Sequence, residues 1–130
     1  MDIVVDTDVA SRIHRDRLSE PLAAQLRARR VCVSFVTIGE LTQWTDLHNW
    51  GLRSRTKLDS WLAQVAELGY DHSVARTWGR LSAAARRRGR TPPVNDTWIA
   101  ACCLASGLPL LTLNRKDFID FAEYHSFILL

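Results

Sequence analysis

Acidic residues follow the short apolar segments of this sequence or begin the helix that leads to the next one. Those that do so are Asp6, Asp8, Glu40, Asp96 and Asp117. If four of them met in one place, each pair of charges ~5 Å apart would repel by roughly 3 kcal/mol at an effective dielectric constant of about 20. Such a cluster needs cations or protons, and its hard oxygen ligands suit Mg²⁺ or Mn²⁺ together with phosphate oxygens. The arrangement predicts phosphoryl-transfer chemistry.

Each acid also has a purely structural explanation. Asp8 and Asp96 stand where helix N-caps are expected, because a carboxylate accepts hydrogen bonds from the free N–H groups of a first turn. Glu40 suits the first turn of a helix, where it interacts with the helix dipole. Asp117 suits the cap of a short C-terminal helix. Taken singly, the acids favour these structural roles; taken together, they favour a shared site.

The elements that would position these acids follow from the spacing of apolar residues. Strands are predicted at residues 3–5, 31–35 and 110–113, with shorter ones around Tyr70 and at 126–130. Helices are predicted just after Asp8 and over residues 21–29, 38–48, 53–68, 73–88 and 95–106, with stops at Gly69, Gly89 and Gly107. Strands separated by helices favour a parallel sheet with a ligand cleft at the carboxyl ends of its strands. The predicted fold is therefore α/β, a single domain over residues 1–130.

The composition limits the compartment and the partners. The chain has 17 Lys+Arg against 14 Asp+Glu, and the net charge of +3 permits polyanionic partners. Its three cysteines, Cys32, Cys102 and Cys103, lack the spacing of a zinc site or a disulfide framework and are typical of buried thiols in a reducing compartment. The longest apolar stretch, 98–105, is far shorter than the ~18 residues of a membrane span. We expect a cytoplasmic protein with no membrane contact.

Four motifs, in order along the chain, carry a resemblance to a known family. They are Val4-Val5-Asp6-Thr7-Asp8-Val9, Ser34-Phe35-Val36-Thr37-Ile38-Gly39-Glu40-Leu41, Asn95-Asp96-Thr97-Trp98-Ile99-Ala100-Ala101 and Leu111-Thr112-Leu113-Asn114-Arg115-Lys116-Asp117-Phe118. With these motifs the sequence resembles PIN-domain ribonucleases, specifically the VapC toxins of type II (VapBC) toxin–antitoxin systems, over nearly the whole chain. The resemblance implies a PIN-like, three-layer α/β/α domain with a central, mostly parallel sheet of four or five strands.

The same resemblance implies a site and an activity. The implied catalytic residues are Asp6, Glu40, Asp96 and Asp117, and those that would hold Mg²⁺ or Mn²⁺ are Asp6, Asp96 and Asp117. Asn114 competes with Asp117 for the last position. Thr112 and Asn114 are supporting residues, as is Asp8 unless it caps a helix. The implied activity is Mg²⁺-dependent cleavage of tRNA or another structured RNA by an activated water, inhibited by a cognate VapB-like antitoxin.

Basic and aromatic residues supply candidate surfaces for RNA and for protein partners. The candidate RNA-binding residues are Arg86, Arg87, Arg88, Arg90, Arg115 and Lys116. For the first four the structural alternative is a solvated helix end, because cations at a helix C-terminus interact favourably with its dipole. The five tryptophans could stack on RNA bases, but their helical spacing among Leu and Val favours packing in the core or on a partner surface for most of them. Trp44, Leu47 and Trp50, with the helix of Trp61, are predicted to form an apolar surface for a homodimer or for an antitoxin helix.

Two other functions compete with this interpretation. The segment Asp6-Thr7-Asp8-Val9 after a strand also resembles the nucleophile motif of haloacid-dehalogenase-like phosphohydrolases. The only lysines are Lys57 and Lys116, and no adjacent acidic pair follows late in the chain, so the rest of that pattern is missing. The second alternative is a binding module, either a receiver-like signalling domain or a PIN fold that binds RNA without cleaving it. Cleavage that depends on Mg²⁺ distinguishes the enzyme from the module.

Overall fold

The computed structural model describes all 130 residues, as four strands and seven helices. The strands are β1 (Asp2–Val5), β2 (Arg30–Ser34), β3 (Ala66–Leu68) and β4 (Leu110–Leu111). The helices are α1 (Thr7–His14), α2 (Glu20–Leu26), α3 (Phe35–Leu47), α4 (Leu52–Leu62), α5 (His72–Arg87), α6 (Val94–Ser106) and α7 (Arg115–Tyr124). None of the helices has both the length and the apolar composition required to cross a bilayer.

The four strands form one sheet in the order β3-β2-β1-β4, and every neighbouring pair is parallel. The predicted α/β class with a sheet of four or five strands is confirmed, and the sheet is parallel throughout. The strand order reverses between β1 and β4, because the chain leaves β1 toward β2 and returns to the other side of β1 as β4. In open parallel sheets such a reversal opens a crevice at the carboxyl ends of the two strands.

Successive strand residues face opposite helix layers, which produces the three-layer α/β/α architecture. Val4, Cys32 and Leu110 belong to a core that they share with α5, α6 and α7. Their neighbours Val33 and Leu111 belong to a second core, shared chiefly with α1, α2 and α4. Helix α3 contributes to both cores. All three cysteines are buried and unpaired, as predicted.

Several predicted boundaries are wrong because the ends of the elements depend on local caps. Helix α3 begins at Phe35 rather than at residue 38, since the Ser34 hydroxyl accepts a hydrogen bond from the Thr37 N–H at 3.3 Å and caps the helix earlier. Helix α2 ends at Leu26 rather than at residue 29, because the chain turns through Ala28 at a φ of 62° to enter β2.

Other boundaries are wrong because they depend on pairing within the sheet. The helix predicted over residues 53–68 ends at Leu62, and the strand predicted around Tyr70 lies instead at Ala66–Leu68, where it pairs with Cys32–Ser34. Gly69 consequently follows a strand and does not cap a helix. Strand β4 has two residues rather than four, and the predicted strand at 126–130 contributes a single parallel bridge between Leu129 and Leu110.

Candidate active site

Asp6 is buried directly after β1, and two hydrogen bonds fix its carboxylate. Its Oδ1 accepts from the backbone N–H of Val9 at 3.0 Å, so Asp6, and not Asp8 as predicted, caps helix α1. Its Oδ2 accepts from the hydroxyl of Thr112, which follows β4. The carboxylate is therefore held on both sides of the reversal in strand order, by its own helix and by the neighbouring strand.

Asp8 lies exposed in the first turn of α1 and is joined to the same neighbouring segment. The side-chain amide of Asn114 donates to Asp8 Oδ2 at 2.6 Å. The backbone N–H of Asn114 in turn donates to the Thr112 hydroxyl at 2.9 Å. Thr112 and Asn114 thus orient the carboxylates of Asp6 and Asp8.

Glu40 reaches the same region from helix α3. It is the sixth residue of that helix, so its predicted place in the first turn is wrong, and the helix has no acid there. The Thr7 hydroxyl donates to Glu40 Oε1 at 2.6 Å, and the Asn95 side-chain amide approaches Glu40 Oε2 at 3.4 Å. Both oxygens are therefore oriented by neighbouring elements, one by α1 and the other by α6.

Asp96 lies in the first turn of α6, whose N-cap is Pro93, so the prediction that Asp96 caps this helix is also wrong. The pKa of Asp96 is raised from 3.8 to about 6, first by burial and then by the negative charges of Asp117, Glu40, Asp6 and Asp8. Burial also raises the pKa of Asp6, although its hydrogen bonds from Thr112 and Val9 oppose the shift. These carboxylates are close enough to repel one another.

A cleft of about 420 Å³ collects most of these groups at the carboxyl ends of the strands. The residues predicted for the site that line it are Asp6, Asp8, Glu40, Asp96 and Asn114. Asp117, in the first turn of α7, lines an adjoining depression with Arg90 and Lys116, although its charge acts on Asp96. A separate depression of about 510 Å³ at the start of α5 contains a single acid, Asp71, whose carboxylate caps that helix.

The chemistry of these donors fits a hard divalent cation. The charges that shift the pKa values of Asp6 and Asp96 all belong to other carboxylates. A cation with affinity for oxygen would therefore relieve the repulsion among them. No three His, Cys, Asp or Glu side chains stand together in the arrangement of a formed metal site. These residues therefore fit a divalent cation through the chemical type and the charge of their oxygen donors.

The predicted RNA-binding cations divide into engaged and free groups. Arg88 forms a partly buried ion pair with Asp120 and lies 4.0 Å from the centre of the Tyr124 ring. Arg90 also approaches Asp120, at 3.5 Å. These two residues therefore join the end of α5 to α7. The other four predicted cations are exposed and form no ion pair: Arg86, Arg87, Arg115 and Lys116.

The cleft also contains residues that the sequence analysis missed or assigned elsewhere. Arg12 and Arg15 line it from α1, although neither was a candidate. Trp44 and Leu47 line it from α3, although both were predicted chiefly to form a protein-binding surface. Helical spacing of three, four and seven residues from Asp8 and from Glu40 leads to these positions and could have identified them.

Four of the five tryptophans are partly buried against the two cores, which agrees with the prediction for most of them but not with the predicted place of Trp50 on a partner surface. Trp50 and Trp61 lie against the core beneath α1, α2 and α4. Trp78 stacks on Trp98 with ring centres 5.1 Å apart, and both lie against the other core. Trp44 is the exception, with half of its surface exposed.

Comparisons with known proteins agree with this architecture. A family model described as PIN domain matches residues 3–124. Ribonuclease VapC2 of Haemophilus influenzae is 26% identical over 116 residues, which cover 88% of each protein. The tRNA(fMet)-specific endonuclease VapC of Shigella flexneri is 27% identical over 93 residues, which cover 72% of this chain and 70% of that relative.

A solved structure extends the similarity to three dimensions. It is the crystal structure of VapBC-5 of Mycobacterium tuberculosis, a member of the VapBC family of toxin–antitoxin systems. The TM-score is 0.76 at 26% sequence identity, and the match covers 99% of this chain and 97% of that one. The similarity therefore includes the strands and helices that form the acidic cleft.

Proposed function

Because the chain belongs to the PIN-domain family, we propose that it is a divalent-metal-dependent endoribonuclease that a cognate antitoxin inhibits. The observation that carries this proposal is the convergence of Asp6, Glu40 and Asp96 from three separate segments on one cleft. The proposed activity is supported by a relative that is named a ribonuclease. The proposed inhibitory partner is supported by the similar structure, which belongs to a VapBC toxin–antitoxin system.

The residues that would hold Mg²⁺ or Mn²⁺ are Asp6, Glu40, Asp96 and, at the border of the cleft, Asp117. A bound divalent ion supplies Lewis acidity toward the phosphate and lowers the pKa of water. Thr112 holds the Asp6 carboxylate in place, and Thr7 does the same for Glu40. Attack by water does not use the ribose 2′-hydroxyl, and with the 3′-oxygen as the leaving group the P–O3′ bond breaks, so the products carry 5′-phosphate and 3′-hydroxyl ends.

Asparagine substitutions in the cleft test this activity. Asp6→Asn and Asp96→Asn keep the shape of the side chain but remove the charge. An asparagine at position 6 can still cap helix α1. We expect each to lower the rate of RNA cleavage by at least about 100-fold in Mg²⁺. Asp59→Asn, a charge change on the exposed surface of α4, is the matched control and retains the rate.

The same assay contains the outcomes that would contradict the proposal. Cleavage that continues after divalent ions are chelated, or products with cyclic phosphate ends, would exclude this chemistry. A phosphorylated Asp6 trapped during turnover would instead favour the haloacid-dehalogenase-like alternative. RNA binding without any cleavage would favour the non-catalytic module.

We also propose the substrate class, the partners and the compartment. A structured RNA such as tRNA is the substrate class that the name of the Shigella flexneri relative supports. The protein acts in the cytoplasm as a homodimer, with a small VapB-like antitoxin as its inhibitor. Sedimentation at micromolar concentration measures the dimer, and a monomer there would contradict it. Loss of cleavage on addition of the protein encoded by a neighbouring short reading frame would identify the antitoxin.

A further inference from the structure

Two helix faces run away from the acidic cleft and form opposite walls of a groove. Each wall begins at an acid and continues at the spacing of one helix face. The wall from α1 consists of Asp8, Ser11, Arg12 and Arg15, and the wall from α3 consists of Glu40, Gln43, Trp44 and Leu47. Seven helical residues extend about 10 Å, so each wall spans about two turns.

The α1 wall carries two arginines that form no ion pair with any carboxylate of the protein. Arg12 forms no ion pair, and Arg15 donates only to the backbone carbonyl of Ser11, at 3.1 Å. Five other arginines form ion pairs with acids, and the remaining eight form none but lie outside this cleft; the five are Arg27, Arg30, Arg55, Arg88 and Arg90. Two unpaired guanidinium groups beside a cleft are suited to phosphate oxygens, which they contact through planar, paired donors.

The α3 wall carries an aromatic ring that faces solvent. Trp44 is 50% exposed and stands one helical turn beyond Glu40. Its ring centre lies 4.3 Å from that of His48, one further turn along α3. An indole with a free face beside a charged cleft is the kind of surface on which unpaired bases of single-stranded RNA stack.

From these two walls we propose that the α1–α3 groove binds the nucleotide next to the scissile phosphate of single-stranded RNA, with Trp44 stacked on its base. Arg12 and Arg15 contact the phosphates of the same strand from the opposite wall. This assignment rests on the proposed function for the identity of the scissile phosphate. An apolar partner helix would cover Trp44 and Leu47 but would leave both arginines unpaired, whereas a nucleotide matches both walls.

The RNA affinity of a variant that does not cleave RNA tests the role of Trp44. In the Asp96→Asn background, fluorescence anisotropy measures the affinity for a labelled single-stranded oligoribonucleotide. We expect Trp44→Ala to weaken this affinity on the order of tenfold, and Trp44→Phe to retain most of it, because Phe keeps an aromatic face. Tyr70→Ala removes an exposed aromatic ring outside the cleft and serves as the matched control. Thermal unfolding verifies that each variant is folded.

Oligonucleotides with one abasic position locate the stacked base. With Trp44 present, we expect one abasic position to weaken binding as much as Trp44→Ala does. When the oligonucleotide lacks the base at that position, Trp44→Ala should not weaken the affinity further, because the base and the indole ring interact with each other. Equal losses at every position, with and without Trp44, would overturn the stacking assignment.

The salt dependence of binding tests the opposite wall. Arg12→Gln and Arg15→Gln should each reduce the slope of log affinity against log salt concentration by about 0.7, the value for one phosphate contact on a single strand. Arg53→Gln, on the exposed surface of α4, is expected to leave the slope unchanged. An unchanged slope in both cleft variants would exclude the phosphate contact.

The outcomes separate this inference from the proposed activity. If Asp6→Asn retains cleavage while Trp44→Ala weakens RNA binding, the catalytic assignment fails and the groove assignment stands. If Asp6→Asn abolishes cleavage and Trp44→Ala leaves RNA affinity unchanged, the groove assignment is overturned and the activity stands. Unchanged RNA affinity together with a shift from dimer to monomer in sedimentation would assign Trp44 to a protein contact instead.

Discussion

The carboxylates of the cleft oppose the stability of the fold that holds them. The pKa of Asp96 is raised to about 6, and that of Asp6 is raised above its ordinary value. A raised pKa means that the folded state holds the proton more tightly than the unfolded state does. The free energy of unfolding therefore falls as pH rises from about 4 to about 6 and stays lower above that range. This cost is expected where function requires like charges to be close together.

Removing the charge of Asp96 should therefore stabilise the protein in the absence of divalent ions. We expect Asp96→Asn to raise the free energy of unfolding at pH 7.5 by about 1–2 kcal/mol, with solvent screening allowed for. At pH 4 the gain should disappear, because Asp96 is then protonated in the folded state. Thermal unfolding in chelator at both pH values measures it. An equal gain at both pH values, or one matched by Asp59→Asn, would contradict electrostatic repulsion as the cause.

His14 is a second residue whose burial affects stability, with the opposite dependence on pH. It is 4% exposed, its ring nitrogens have no hydrogen-bond partner, and it lies against the rings of Trp50 and Trp61. Burial lowers the pKa of His14 below 6.5, and the charges of Arg15 and Lys57 contribute to the decrease. As pH falls below about 6.5 the unfolded state binds this proton first, so the free energy of unfolding decreases.

Replacing His14 should remove this sensitivity to acid. We expect His14→Phe to stabilise the protein more at pH 5.5 than at pH 7.5, because Phe fills the site without a titrating group. Urea unfolding midpoints at the two pH values measure the difference. His72→Gln, at the exposed start of α5, should behave as the unmodified chain does. The same gain at both pH values would show that packing, and not protonation, is responsible.

At the scale of elements, helix ends determine which acids reach the cleft. Helix α6 begins after Pro93, which places Asp96 in its first turn, where an acid also interacts favourably with the helix dipole. Its far end stops at Gly107, at a φ of 67° and a ψ of 31°. Between these ends, buried residues such as Ile99 and Cys103 hold the helix against the sheet. The direction of Asp96 thus depends on the packing and the termination of a whole helix.

Two glycines should respond in opposite directions to the same substitution. Gly107→Ala is expected to destabilise the protein by about 1 kcal/mol, because an L side chain rarely adopts the left-handed conformation. Gly79→Ala, within α5, is expected to stabilise it by about 0.5–1 kcal/mol, since an added Cβ meets no atom within 4 Å and alanine favours helix. Thermal unfolding of both variants measures the two effects. Effects of the same sign would contradict this account.

At the scale of the whole molecule, the cleft lies where the strand order reverses, at the carboxyl ends of the neighbouring strands β1 and β4. The hydrogen bond from Thr112 to Asp6 joins residues 106 positions apart and links the segments that follow these two strands. Glu40 and Asp96 enter the same space from α3 and α6. No segment of the chain holds the site by itself, so its formation requires the complete parallel sheet.

The hydrogen bond from the Thr112 hydroxyl to Asp6 can be tested by isosteric replacement. Thr112→Val leaves the buried Oδ2 of Asp6 without a hydroxyl donor, so we expect a loss of about 1–3 kcal/mol in the free energy of unfolding. Thr112→Ser keeps the hydroxyl and should lose less. Denaturant unfolding of the two variants compares them. Equal losses in the two variants would show that the hydrogen bond contributes no more than the packing of the Thr112 methyl group.

Local sequence determined the elements and the candidate acids of this protein. Apolar periodicity located β1, β2, α5 and α6, because an alternating or helical spacing must bury one face. The position of Asp6 after an apolar strand and that of Asp96 at the start of an apolar helix marked the end of the sheet at which ligands bind.

Only the tertiary structure decided which groups meet. It placed β3 at Ala66–Leu68, because a short strand is selected by its partner β2 and not by its own residues. It assigned the cap of α1 to Asp6, engaged Arg88 with Asp120, and placed Asp117 beside the cleft instead of in its lining. Arg12 and Trp44 line the same cleft for the same reason. Such pairings depend on contacts between segments far apart in the chain, and no local pattern of residues encodes them.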